Sequence, residues 1–407
     1  MQTGISVGEG YRHPNHLTYT VQISNDRLSM RQLSVISKKV FQDNPDLDSC
    51  SVLIHDKEIN FAIVETDDIE IDFDKDRYRE MVLVRKRAFS LNYRDTSLII
   101  QAALYFEQNP ESLEHFPVGS DFVAEVIKTG VAVKGISVGD RVIPDSFISY
   151  ANNMVASGIP SSCSSKELDL LHYTKLKKIP SEMPDDVAAG FTTGGQTAFS
   201  MIRKVAPSHQ DIILITAGSS NTSLFVINAL IKTHKNLYVL TGKESSKLKL
   251  KDMGIENVLL VDPLRPFHEQ KDILEVINSG VRFNVIFDPF FDLYFPHLVT
   301  LMAPLSRYVF CGLQYQHALM QKDERFEDHT QISTIKLAHI LIQNNTSVIG
   351  NCLGNSEDLD CALMGYKKSE FDVTLASIYT DNDVASFIHT TFVDRARFGK
   401  VIMKYSM

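Results

Sequence analysis

Seven small residues, Ala217-Gly218-Ser219-Ser220-Asn221-Thr222-Ser223, follow the apolar run Ile212 to Thr216 and precede an apolar pattern at helical spacing through Leu224, Ile227 and Ile231. Such a turn offers an anion two things. The helix it opens has backbone N–H groups without intrahelical acceptors and the positive end of a dipole. Ser219, Ser220, Asn221 and Thr222 add side-chain donors. Further along, a second short apolar run, Leu237 to Thr241, ends in Thr241-Gly242-Lys243 and is followed by Glu244, Ser245, Ser246 and Lys247. No carboxylate stands at the end of that run itself. Cations and hydroxyls there suit a phosphate monoester, whereas a bare ribose diol calls for an acidic acceptor.

The elements that must position these groups form a βαβ unit: strand, tight turn, helix and returning strand. A pyrophosphate would sit at the helix N-terminus. The dinucleotide fingerprint GxGxxG places glycine where Ala217, Ser220 and Ser223 stand here, so this stretch alone reads equally as a βα turn capped by Ser or Asn. Four more strand-length runs follow, Val258 to Asp262, Phe283 to Asp288, Tyr308 to Gly312 and Ser347 to Asn351, separated by helix-length segments. Their near-continuous apolar character predicts a six-stranded parallel sheet buried on both faces, with a binding crevice at the strand C-termini.

The 407 residues suffice for two domains, and 44% hydrophobic with 22% charged residues is ordinary for a globular protein. A formal net charge of −9 without a basic stripe argues against nucleic acid as the main partner. The N-terminus lacks a signal-peptide pattern and no apolar run approaches the ~20 residues that span a bilayer, so the expectation is a cytoplasmic protein without a membrane partner. Five scattered cysteines without a CxxC pair, and thirteen dispersed histidines without an HExxH, suit a reducing compartment and no metal site.

Residues 1–50 read as an extension, with a strand at Thr18 to Ile23, an amphipathic helix from Ser29 to Gln42 and a strand near Ser51 to His55. From Asn60 onward the pattern turns to strands. Val- and Ile-rich runs between Phe116 and Pro144, punctuated by Gly119, Gly130, Gly135 and Gly139, predict a strongly bent β-barrel whose glycines supply positive φ.

At these residues the chain resembles a family. NYRD (Asn92 to Asp95), GSDFVAEV (Gly119 to Val126), VGDRV (Val138 to Val142) and IPSEMPDDVAAGFTTGGQTAF (Ile179 to Phe199) occur in the order and spacing of medium-chain dehydrogenases/reductases. NVIFDPF, FCGL, SVIGNCLGNSEDL and RFGKVIMKY continue the match, which spans roughly residues 58–407. The zinc-free quinone reductase and enoyl reductase branch is the most similar. The resemblance implies an α/β chain with a GroES-like barrel domain at 51–195, a Rossmann domain at 196–355, and a tail at 356–407 that returns to the barrel.

It also implies a site. Zinc members carry cysteine and histidine ligands where this chain has Asn92 and Ser120, which argues against catalytic zinc. Asn92 and Tyr93 would line the nicotinamide pocket. Asn92 would orient the carboxamide or substrate, and Tyr93, a phenol protonated at neutral pH, would donate to the substrate oxygen. Thr197 would contact the nicotinamide ribose or amide, with the main chain of Cys311, Gly312 and Leu313 on its other side; the Cys311 thiol is expected to be inert packing. Together with Ser219, Ser220, Asn221, Thr222, Thr241, Lys243 and Lys247, these residues would hold NADPH. Asp288-Pro289-Phe290 replaces the family's glycine-containing turn, and Phe290 and Phe291 are expected to narrow the mouth of the site.

The reading is an NADPH-dependent reductase of an α,β-unsaturated carbonyl or quinone, a small-molecule enzyme with specialised metabolism as one setting, that dimerises through the edge strand Ser347 to Asn351. The alternative is an inactive member acting as a binding or partner protein. The turn separates the two: side chains of Ser220 and Ser223 filling the phosphate space would favour the alternative.

Overall fold

The computed structural model describes residues 30–66, 71–112, 114–147, 158–262, 265–314 and 333–406. The expected strand at Thr18 to Ile23 lies outside the described residues, as does the polar segment Gln316 to Gln331, whose composition predicts a surface or interface.

Residues Met30–Ile36 form a strand, β1, and not the first turns of a helix. The helix α1 is short, Lys38–Asp43, and begins where the Ser37 side chain accepts from the Val40 N–H. The amphipathic pattern over Ser29 to Gln42 is thus split by a helix cap. Strand propensity in Val35 and Ile36 combines with pairing to a distant partner, which overrides local helical spacing. β1 lies between β3 (Lys57–Thr66) and β5 (His115–Pro117), and β2 (Ser49–Ile54) pairs with β3 on the other side. Leu33 and Val35 pack in the same core as Val84, Phe89 and Phe122. Residues 30–54 are therefore built into the barrel region rather than appended to it.

The remaining barrel strands are β4 (Met81–Ser90), β6 (Asp121–Thr129), β7 (Arg141–Pro144), β8 (Leu168–His172) and β9 (Leu176–Lys178). They join β16 (Leu375–Thr380) and β17 (Lys400–Lys404) in one seven-stranded sheet, in which β17 pairs antiparallel with β4. The tail thus reaches the heart of the barrel. Gly119, Gly135 and Gly139 have the positive φ expected of them. Gly130 is required for another reason: a Cβ there would overlap the backbone of Tyr78 and Arg79.

The second sheet has the strand order β12-β11-β10-β13-β14-β15. Its members are β10 (Ile213–Ile215), β11 (Leu237–Thr241), β12 (Asn257–Leu260), β13 (Phe283–Asp288), β14 (Met302–Phe310) and β15 (Ser347–Gly350). Every pair is parallel. Running order reverses between β10 and β13, the switch point at which such sheets bind ligands. Helices cover both faces, and the chain enters this half through α4 (Thr192–Val205), whose Ala198 and Met201 share a core with Ala88 and Val123 of the barrel and Ile213 of β10. That shared core fixes the cleft between the halves. Among the described residues no helix is long and apolar enough to cross a membrane.

Candidate active site

The turn after β10 is built as a binding turn, but its side chains face inward. Ala217 adopts φ 45°, a left-handed conformation that favours glycine, at the first fingerprint position. Gly218 cannot carry a side chain, since a Cβ would overlap Val239. Ser220 caps α5 (Asn221–Leu230) by accepting from Ser223 N at 3.2 Å. The Ser223 hydroxyl is buried beneath the turn and donates to the Thr216 carbonyl at 2.6 Å. Thr222 hydrogen-bonds the Cys311 sulfur, and burial pushes that thiol up to about 12. The expectation that residues 220–222 donate outward therefore does not hold, because each has a partner inside the protein. Capping and the strand–helix junction claim these short polar groups first. At the α5 start the N–H groups of Asn221 and Thr222, the first two helical positions, have no intrahelical acceptor and suit an anion.

Asn221 points to the tail. In the amide orientation that satisfies both partners, it accepts from Arg397 Nη1 at 3.1 Å and donates to the Gly399 carbonyl at 3.0 Å. Arg397 is half-buried, and burial lowers its pKa while Asp394 opposes the shift. Lys243, at the end of β11, donates to the Arg395 carbonyl. Its pKa is lowered by burial and by Arg397. Lys243 and Arg397 thus stand near enough to repel one another, and Asp394 acts on both. The Thr241 hydroxyl, buried at the strand end, has no hydrogen-bond partner among the described residues. Lys247 is not brought to this pair; it turns to Asp272 at 3.4 Å.

Across the cleft a buried network occupies the positions of Asn92 and Ser120. Lys400 Nζ donates to Asn92 Oδ1 at 2.8 Å and to Asp121 Oδ2 at 3.2 Å. Asn92 Nδ2 donates to Ser120 Oγ and to Asp121 Oδ2, both at 2.9 Å. Ser120 Oγ donates to Asp95 Oδ2 at 2.8 Å, and Arg94 holds the other Asp95 oxygen at 2.9 Å. Asp121 Oδ1 accepts from Thr193 N and Oγ1 at 2.9 and 2.7 Å, which ties the barrel to α4. Lys400 and Asp121 are 1% and 0% exposed, so the ammonium–carboxylate pair is fully desolvated. Burial lowers the Lys400 pKa, and Asp121 counters it. Both Asn92 N–H groups are used within the protein, so Asn92 is held as a positioning residue rather than offered as a donor.

Tyr93 emerges from this network into the cleft, 39% exposed. Its hydroxyl donates to the Gln314 carbonyl. Thr197 lies one turn after Thr193 on α4 and is buried. The main chain of Cys311 and Gly312 is bound back onto the β13 turn: Cys311 N donates to Asp288 O at 3.2 Å, and Gly312 O accepts from Phe291 N at 3.1 Å. Leu313 follows on that segment, and Gln314 N is held by Asp292 at 2.9 and 3.1 Å.

Asp288 anchors this floor. It is fully buried and accepts from Thr216 Oγ1 at 2.6 Å, from Phe290 N at 2.9 Å, and from the Tyr308 hydroxyl. Burial pushes its carboxyl from 3.8 up to about 6 against those three donors. The folded chain therefore keeps this proton over a range where the unfolded chain has lost it, and stability falls as pH rises from about 4 to about 6. In denaturant unfolding, the loss across that window should be larger in wild type than in Asp288→Asn by roughly 3 kcal/mol. Equal losses would show that Asp288 titrates normally.

With the geometry in place, residues 79–195 match the alcohol dehydrogenase GroES-like domain family. Solved structures extend the likeness to the whole described architecture. AibC aligns at TM-score 0.69 and 15% identity over 93% of this chain and 96% of its own. The 2-octenoyl-CoA carboxylase reductase CinF from Streptomyces sp., solved with NADP and 2-octenoyl-CoA, aligns at TM-score 0.69 and 15% identity over 93% of this chain and 88% of its own. The cobalt- and zinc-bound alcohol dehydrogenase of Pyrobaculum aerophilum aligns at TM-score 0.66 and 17% identity over 93% and 100%. The chain has the medium-chain dehydrogenase/reductase fold. No curated protein matches the sequence.

In this medium-chain fold the Lys400 network takes on a specific meaning. Asn92 and Ser120 stand where the resemblance puts zinc ligands, and they are joined to each other and to a buried ammonium. Among the described residues no group of three His, Cys, Asp or Glu side chains is arranged to hold a metal ion. The sequence pattern singles out neither Lys400, Asp121 nor Arg397. The available signal was RFGKVIMKY itself: cations inside or beside a strand of buried register imply partners elsewhere.

Proposed function

We propose that the protein is a zinc-independent, NADPH-dependent oxidoreductase that reduces an α,β-unsaturated carbonyl or a quinone-type acceptor. The observation that carries this reading is the pair of cations, Lys243 at the end of β11 and Arg397 beside the start of α5. Two neighbouring cations beside a helix N-terminus fit a dinucleotide bearing a further phosphate. Arg397 and the α5 N-terminus would hold the pyrophosphate. Lys243 and Thr241 would hold the phosphorylated ribose, and Thr197 with the 311–313 main chain the nicotinamide end.

When bound, a reduced nicotinamide would supply hydride for the electron-poor carbon of the acceptor. The protein's own part is to orient, to exclude water and to deliver a proton. Lys400, neutralised by Asp121, fixes the Asn92 amide through its oxygen and so holds the floor from which Tyr93 emerges. Tyr93 exchanges its Gln314 partner for that oxygen and protonates it, and solvent restores the phenol. A homodimer through the terminal strand β15 and a cytoplasmic setting that keeps the five free cysteines reduced complete the reading.

Absorbance at 340 nm during NADPH oxidation with a naphthoquinone and with an enone tests it. Tyr93→Phe should lower kcat by roughly tenfold to a hundredfold while leaving NADPH affinity within about twofold. Excess chelator should leave the wild-type rate unchanged. No NADPH consumption with any acceptor would favour the second reading, a non-catalytic partner protein, to which the Tyr93–Gln314 bond across the cleft lends support.

A further inference from the structure

Two histidines meet at the end of the parallel sheet opposite the nucleotide crevice. His209 precedes β10 and His234 precedes β11, and these neighbouring strands run parallel with Ile213 opposite Leu237. Their imidazoles come together at the strand N-termini, with ring centroids 5.2 Å apart and a tilt of 32°. One residue, Thr233, orients both rings. His209 Nδ1 lies 3.0 Å from the Thr233 carbonyl, which can only accept, so Nδ1 carries the proton and Nε2 a lone pair. The Thr233 hydroxyl gives its single proton to the Leu230 carbonyl at 3.2 Å and accepts from His234 Nδ1 at 2.9 Å. His234 Nε2 is thereby left a lone pair as well. His234 is 8% exposed, and its Nε2 is buried without a hydrogen-bond partner among the described residues. A buried acceptor of this kind is costly unless something fills it.

We propose that His209 and His234 form a binding site for a divalent transition metal ion of the zinc class, held by their two Nε2 atoms. Imidazole nitrogen is a preferred ligand of such ions, and a ligating histidine characteristically donates its other ring N–H to an oxygen that fixes its tautomer. Thr233 supplies both of those oxygens here. The spacing also fits. Two imidazoles bound to one ion at a tetrahedral angle, with metal–nitrogen bonds of about 2.0–2.1 Å, have ring centroids roughly 5 Å apart. His209 is exposed, so its ring turns freely enough to bring Nε2 beside that of the buried His234. The nearby Asp211 carboxylate is engaged by Arg307 Nη2 at 2.6 Å and by Ser208 N at 2.8 Å. No third His, Cys, Asp or Glu among the described residues joins the pair, so water completes the shell. The ion ties the segment entering β10 to the segment entering β11. It sits at the strand N-termini and takes no part in chemistry at the C-terminal crevice.

The test is calorimetric titration of the whole chain, stripped with chelator and exchanged into clean buffer, with Zn²⁺ and with Mg²⁺ as the control. Wild type should bind one equivalent of Zn²⁺ at micromolar concentration and no Mg²⁺, which demands oxygen ligands. His209→Ala, a change at an exposed position, should weaken Zn²⁺ by at least about tenfold. Thr233→Val, which removes the hydroxyl that orients His234, should weaken it about ten- to a hundredfold while leaving both imidazoles in place. Zn²⁺ should also raise the thermal unfolding midpoint of wild type and leave that of His209→Ala unmoved. Wild type that takes up no Zn²⁺ overturns the proposal. So does Zn²⁺ affinity that persists undiminished in His209→Ala, as binding at an exposed cysteine would.

Discussion

Lys400→Met should cost about 3–5 kcal/mol of stability in chemical denaturation, because it leaves the carboxylate of Asp121 buried without its ammonium. Asp121 is 0% exposed, and its remaining partners, Thr193 and Asn92, are neutral. Methionine matches the lysine stem in length, so little of the loss is packing. The charge assignment can be separated from simple damage by the double variant Lys400→Met, Asp121→Asn. Removing both charges should recover most of what the single change loses, since a neutral buried pair avoids the desolvation penalty. A single variant within about 1 kcal/mol of wild type would mean that the pair is not the buried ion pair described. The same change should release Asn92, whose amide oxygen Lys400 holds at 2.8 Å, so the cleft is expected to lose order along with stability.

Arg397→Ala should weaken nucleotide binding by roughly ten- to a hundredfold, the value of one charge-assisted hydrogen bond made or lost at a half-buried site. Its effect has a signature. Arg397 reaches Asn221 at the start of α5, the end of the crevice common to both nicotinamide nucleotides, so NADPH and NADH should weaken alike. Lys243 stands at the end of β11, where the two nucleotides differ, so Lys243→Ala should weaken NADPH and leave NADH within about twofold. Titrations following nicotinamide fluorescence give all four affinities. Equal losses for both nucleotides in Lys243→Ala would place that lysine outside the phosphate contact.

Most of the second half was legible because its signals are local. The apolar runs ending at Thr241, Asp288 and Phe310 are strands buried on both faces, and their helix-length spacing dictates a parallel order. The first strand was not legible as a strand. Met30–Ile36 has helical apolar spacing, and what decides its state is antiparallel pairing with Lys57–Thr66, a contact that no local window contains. The site divides in the same way. Tyr93, Lys243 and the 217–223 turn could be named from motif position. Lys400 and Asp121 are 279 residues apart in sequence, so their pairing follows only from β17 returning to β4. The inward direction of Ser220, Thr222 and Ser223 was likewise hidden, because the composition of a polar turn does not say whether its hydroxyls face the ligand or the helix cap.

The claim on which the rest depends is that the crevice at β10, β11 and α5 binds a nicotinamide dinucleotide that carries the extra phosphate. Titration of the wild-type protein with NADPH and with NADH tests it most directly. Saturable NADPH binding, at least about tenfold tighter than NADH, is the expected result. No saturable binding of either nucleotide at millimolar concentration, or a clear preference for NADH, would contradict it.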